Sequence, residues 1–85
     1  MAPLWYVYIA AAENGKLYVG ISTDTRRRLK EHNTGRGARF AMQNGELRLV
    51  YVSSPLENQS VARKREIELK SWTRAKKLEL IASAS

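Results

Sequence analysis

By type and by spacing, Tyr8, Tyr18, Arg28, His32 and Glu66 are side chains capable of chemistry. Arg28 and His32 lie four residues apart, so a helix puts them on one face. The guanidinium offers forked donors that match an oxyanion, and the imidazole takes up or releases a proton near neutrality. Glu66 falls one turn beyond Ala62, at the margin of a helical stripe formed by Ala62, Leu69 and Trp72. A half-buried carboxylate there needs a cationic partner or a metal. Together these groups could bind anions and move protons. Each also has a plainer reading. A strand tyrosine is often a packing residue, and a lone helix histidine is often a surface residue. Arg26, Arg27 and Arg28 would form a solvated face, and Glu66 could be a rim glutamate paired with Arg63 or Lys70.

The elements that must position these residues can be read from pattern. Leu4 to Ala12 and Lys16 to Ser22 are strand-like and are joined through Glu13-Asn14-Gly15. A three-residue loop with glycine last fits a type I turn closed by a glycine bulge. That register pairs Ala12 with Lys16, Ala10 with Tyr18 and Tyr8 with Gly20. It puts Trp5, Val7, Ile9, Leu17, Val19 and Ile21 on a core face. Tyr6, Tyr8, Ala10, Tyr18 and Gly20 fall on the other. A two-residue Asn14-Gly15 turn would mix the two sets. The second face carries three hydroxyls and a bare patch at Gly20 opposite Tyr8, so it reads as the floor of a site as much as a core.

Asp24 or Thr23 can cap a first helix that runs to about Asn33, with Gly35 just beyond it. A glycine-containing loop with Arg36 and Arg39 follows, then a strand from Leu47 to Val52. Ser54-Pro55 is expected to open a second helix, Ser54 capping and Pro55 at its first position, reaching about Lys70. Ser71 or Thr73 would cap a third helix, and residues 82–85 are expected to fray. The order is β-β-α-β-α-α, an α+β arrangement of antiparallel sheet and packed helices.

The 85 residues read as a single domain, 1–85. The absence of cysteine excludes disulfides and thiolate metal sites. The apolar run from Leu4 to Ala12 is too short to span a bilayer. No Lys or Arg precedes it, so it reads as a strand and not a signal peptide, and a soluble, cytoplasmic protein is expected. Fifteen Lys and Arg against eight Asp and Glu give a net charge of +7. Such a field draws polyanions, nucleic acid first and anionic membrane second. Arg26, Arg27, Lys30, Arg36 and Arg39 flank the Arg28–His32 face and are the expected phosphate contacts. Arg74, Lys76 and Lys77 are further exposed-looking cations.

The ordered set resembles the GIY-YIG nuclease family over nearly the whole chain. Tyr6-Val7-Tyr8 lies ten residues before Tyr18-Val19-Gly20, and the stretch from Arg28 to Gly35 carries Leu-Lys-Glu-His-Asn-x-Gly after the arginine. Arg65-Glu66, Lys70-Ser71-Trp72 and Arg74-Ala75-Lys76-Lys77 also look like the short free-standing members. The resemblance implies a three-stranded antiparallel sheet flanked by three helices. It also implies hydrolysis of a DNA phosphodiester with one divalent metal, Mg²⁺ or Mn²⁺. Tyr8 and Tyr18 match the paired tyrosines. Arg28, His32 and Glu66 match the arginine, helix histidine and metal-ligand positions. The chain departs from the pattern in having Tyr6 for the first glycine and Phe40-Ala41-Met42-Gln43-Asn44-Gly45 before the third strand. The implied function is an endonuclease of little sequence preference acting on DNA, with RNA a further substrate class. A non-catalytic nucleic-acid-binding module, or a nuclease subunit targeted by a protein partner, are the alternatives.

Overall fold

The computed structural model describes residues 2–34 and 44–84. Its elements run β1 (Tyr6–Ala12), β2 (Leu17–Ser22), α1 (Thr25–Thr34), β3 (Leu47–Val52), α2 (Gln59–Lys70) and α3 (Arg74–Ser83). The order β-β-α-β-α-α is the expected one. The antiparallel sheet has the order β2-β1-β3, so β1 is central and paired along both its edges.

The hairpin follows the register read from the sequence, with Tyr8 opposite Gly20 and Ala10 opposite Tyr18. Gly15 takes φ 90°, a left-handed conformation that suits glycine. Its N–H donates to the Ala12 carbonyl at 2.9 Å, and the Ala12 N–H donates to Lys16 at 2.8 Å. On one face Val7, Ile9 and Val19 pack with Ala62 and Leu69 of α2, and Trp5, Leu17 and Ile21 line the margin. Full burial of each of the larger aliphatic side chains contributes about 1.5–3 kcal/mol. On the other face Tyr8, Ala10, Ala12 and Leu47 form a second cluster with Tyr18 and Leu29.

Asp24 caps α1, its Oδ1 accepting from the Arg27 N–H at 3.1 Å. The helix has few apolar groups to bury, and Asn33 fastens its last turn. The Asn33 amide donates to the Leu47 carbonyl at 2.9 Å, and its Oδ1 accepts from the Leu47 N–H at 2.8 Å. This two-way clasp ties α1 to the start of β3.

Two expectations are corrected. The second helix starts at Gln59, capped by Asn58, and not at Ser54-Pro55. Leu56 instead pairs with Trp5 through N–H···O bonds of 2.7 and 2.9 Å, and the Ser53 N–H donates to Val7 at 2.8 Å. Pro55 lacks an N–H and falls between these donors, so the segment extends along β1. A local Ser-Pro start signal loses to a pairing partner distant in sequence. Ala82 and Ser83 are helical rather than frayed, with the Ser83 hydroxyl donating to the Leu80 carbonyl at 3.0 Å. Thr73 caps α3, its Oγ1 accepting from the Lys76 N–H.

Candidate functional site

The site is built on the sheet face opposite the main aliphatic core. The Tyr8 and Tyr18 rings project together, with centroids 6.2 Å apart and planes at 34°. They approach closely because Gly20 offers no side chain. A Cβ there would stand 2.6 Å from the Tyr8 hydroxyl and 3.1 Å from Tyr18 Cε1. His32, on the inward side of α1, meets Tyr18 edge to face at 4.8 Å.

Arg28 and Glu66 both act electrostatically on Tyr8. Burial pushes the Tyr8 phenol up to about 12, and neighbouring Tyr18 adds to the shift. The Arg28 guanidinium opposes it by charge and by hydrogen bonding to the phenol, and Glu66 lies close enough to raise it further. Tyr8 is therefore a firmly protonated donor at neutral pH. Arg28 is about half exposed and also stands 3.9 Å from Glu31. His32 is only 5% exposed, and neither ring nitrogen has a hydrogen-bond partner among the described residues. Burial first, and then Arg28, hold its imidazole below the ordinary value of 6.5, with Glu31 partly offsetting them. It is neutral at physiological pH.

Glu66 is more buried than its place on the helical wheel implied, at 5% exposure. Its Oε1 accepts from Arg63 Nη1 at 2.9 Å, and Lys70 Nζ stands 3.4 Å from Oε2. Arg63 and Lys70 are one turn away on either side, and both pair with it. Arg65, which the wheel places nearer the stripe's middle, lies over the Trp72 ring at 5.1 Å and pairs with Glu68.

The structure thus gathers Tyr8, Tyr18, Arg28 and His32 on one face, with Glu66 within electrostatic reach of Tyr8. Arg26, Arg27 and Lys30 are exposed on α1, Arg27 pairing with Glu31 at 3.7 Å. Arg36 and Arg39 lie outside the described residues. Lys76 sits over Trp72 at 4.4 Å, and Arg74 donates to the Gly15 carbonyl at 2.6 Å, so both have intramolecular roles. Sequence reasoning missed the clasp made by Asn33. A polar asparagine at a helix end reads as a cap, and nothing local announces a bond to a strand fourteen residues on.

Residues 4–79 match the GIY-YIG catalytic domain. The chain belongs to the GIY-YIG family. It is 37% identical over 81 residues to UPF0213 protein YhbQ of Escherichia coli K12, covering 95% of this chain and 80% of that protein. The corresponding protein of Escherichia fergusonii gives the same identity and coverage. The solution NMR structure of UPF0213 protein BH0048 from Bacillus halodurans superposes with a TM-score of 0.57 at 35% identity, covering 93% of this chain and 83% of that one. These relatives form a small free-standing branch of a family typical of endonucleases.

GIY-YIG nucleases generally use a divalent metal. Among the described residues no group of three or more His, Cys, Asp or Glu side chains could hold one. Glu66 offers a single buried carboxylate. That fits a hard cation that takes one protein ligand and keeps water and phosphate oxygens, as Mg²⁺ and Mn²⁺ do, and does not fit an all-protein cage. Among the described residues no helix is long and apolar enough to cross a membrane.

Proposed function

We propose that residues 1–85 form one catalytic domain, a metal-dependent endonuclease that hydrolyses DNA phosphodiester bonds in the cytoplasm with little intrinsic sequence preference. The observation that carries this reading is the cluster of Tyr8, Tyr18 and His32 on one sheet face, with ring centroids 6.2 Å and 4.8 Å apart in turn, and with the Arg28 guanidinium acting on the Tyr8 phenol.

Arg28 clamps non-bridging phosphate oxygens through its forked donors and offsets charge that builds on them. Tyr8 stays protonated and donates to the same phosphate. The neutral imidazole of His32, beside Tyr18, takes up the proton of the attacking water. Glu66 would hold Mg²⁺ or Mn²⁺, which when bound would supply Lewis-acid stabilisation of the leaving oxygen. Arg26, Arg27, Lys30, Arg36 and Arg39 hold backbone phosphates on either side of the cut.

The pairing of Glu66 with Arg63 and Lys70 favours a second reading, a nucleic-acid-binding module in which that carboxylate is purely structural. One experiment separates the two. Single-stranded, duplex and branched DNA are incubated with the protein in Mg²⁺, Mn²⁺ or EDTA, alongside Glu66→Gln. Cleavage that needs metal and Glu66 supports the nuclease. Binding without cleavage under every condition supports the module. A nuclease targeted by a protein partner would cut only weakly here and gain activity on addition of cell extract.

A further inference from the structure

We infer that Arg63 and Lys70 form an internal counter-cation for Glu66, which a divalent ion must displace, so that these two residues set the metal affinity of the site. The inference rests on the assignment of Glu66 as metal ligand.

Three observations carry it. Each carboxylate oxygen already has its own cation, Oε1 with Arg63 at 2.9 Å and Oε2 with Lys70 at 3.4 Å. The Glu66 side chain is 7% exposed, whereas those of Arg63 and Lys70 are 53% and 57% exposed. The spacing along α2, three residues before and four after, straddles the carboxylate on one helix face.

The consequence is electrostatic. Ordinary surface pairs are screened by water and contribute little. The Arg27–Glu31 pair on α1, 65% and 45% exposed, is of that kind. A carboxylate as buried as Glu66 depends on its partners, because an unpaired charge there would be costly. A divalent ion bound to this carboxylate would compete with both cations for its lone pairs and repel each of them, so they are expected to withdraw as it enters. Both can leave, because their outer atoms already reach solvent. Once released, they are free to meet phosphate oxygens, so nucleic acid and metal should favour each other's binding. The site then binds metal weakly until a polyanion is present.

The test is a Mn²⁺ titration followed by electron paramagnetic resonance of the free ion, on the intact chain without nucleic acid. Wild type is compared with Arg63→Gln, Lys70→Gln, Lys70→Arg, Lys64→Gln and Glu66→Gln. Lys64 is exposed on the same helix and controls for a bare change of charge. Circular dichroism confirms that each is folded. Arg63→Gln and Lys70→Gln are each expected to tighten Mn²⁺ binding severalfold. Lys70→Arg should stay near wild type, Lys64→Gln within about twofold, and Glu66→Gln should bind no ion at the site. Equal affinity in wild type, Arg63→Gln and Lys70→Gln, with binding still abolished in Glu66→Gln, would overturn the counter-cation and leave Glu66 as ligand. Weaker binding in the two glutamine variants would overturn it by showing that the cations position the carboxylate for the ion. Wild-type affinity in Glu66→Gln, or no binding in any variant, would remove the metal assignment and the inference together.

Discussion

The Tyr8 phenol lies across Gly20, its hydroxyl 2.6 Å and its Cζ 2.7 Å from where a Cβ on that glycine would stand. Tyr8 is 1% exposed, so the ring has no open space to retreat into. Gly20→Ala is therefore expected to displace Tyr8 from Arg28. Overpacking of this kind costs about 1–3 kcal/mol, so the protein should fold with a lower unfolding midpoint and lose most of its cleavage. Wild-type cleavage by the alanine variant would show that the tyrosine's placement does not matter.

Glu66→Gln should remove metal-dependent cleavage and keep DNA binding. The amide is nearly the same size but carries no charge for a metal or for Arg63 and Lys70. A destabilisation of about 1–3 kcal/mol is expected, and α2 should stay docked through Ala62 and Leu69, both fully buried. Gel-shift and cleavage assays on the same preparation decide it. A folded variant that still cuts with Mg²⁺ takes Glu66 out of the mechanism.

The extent to which the sequence foretold this arrangement differed from element to element. The hairpin was legible because strand alternation and a three-residue turn act locally, and a shift by one residue would have mixed aliphatic and tyrosine faces. That register alone puts Tyr8 over Gly20. The start of α2 was not legible, because the Ser-Pro signal at Ser54 competes with pairing between Leu56 and Trp5, fifty-one positions apart in sequence. The burial of His32 was hidden for another reason. Its helix is almost wholly polar, so no apolar stripe marks which side faces the sheet. The clasp from Asn33 to Leu47 and the edge-to-face packing on Tyr18 fix that side instead.

Asn33→Ala should loosen α1 from β3. It leaves the N–H and C=O of Leu47, a residue 4% exposed, without their partner. The expected cost is about 2–4 kcal/mol, read as a lower urea midpoint. Asn33→Asp keeps the acceptor for the Leu47 N–H but faces the carbonyl with a second acceptor, and should fall between the two. Because α1 carries Arg28 and His32, cleavage should drop in the same order. An unchanged midpoint in Asn33→Ala would show that the clasp contributes nothing.

Acidification should act through His32. Its folded value lies below the ordinary 6.5, so in the window just under that value the unfolded chain binds more protons than the folded one. Stability from this group is complete above the unfolded value and is lost as pH falls toward the folded value. Cleavage that needs the neutral imidazole should follow, with an acid limb centred below pH 6.5. The Tyr8 value of about 12 predicts no alkaline loss from that phenol below about pH 10. His32→Gln should fold and lose the acid limb along with most activity. A half-maximal rate above pH 7 in the wild type would place the controlling proton on another group.

Binding should be governed by backbone charge. Arg26 and Lys30 are exposed and four apart on α1, on the helix that carries Arg28, and no ion pair involves either among the described residues. Residues with this freedom are suited to holding phosphates, and no long recognition helix is present among the described elements to read a major groove. Each cation that neutralises a phosphate on duplex DNA should contribute about 0.9 to the log–log salt slope. Arg26→Gln with Lys30→Gln should therefore flatten it by nearly two and weaken all sequences about equally. Arg27→Gln should do less, because that guanidinium already pairs with Glu31 at 3.7 Å. The measurement is affinity for several unrelated duplexes across a salt series, in EDTA so that cleavage does not intervene. A slope unchanged in the double variant would show that α1 does not face the backbone. A weakening confined to one sequence would show that these side chains read bases.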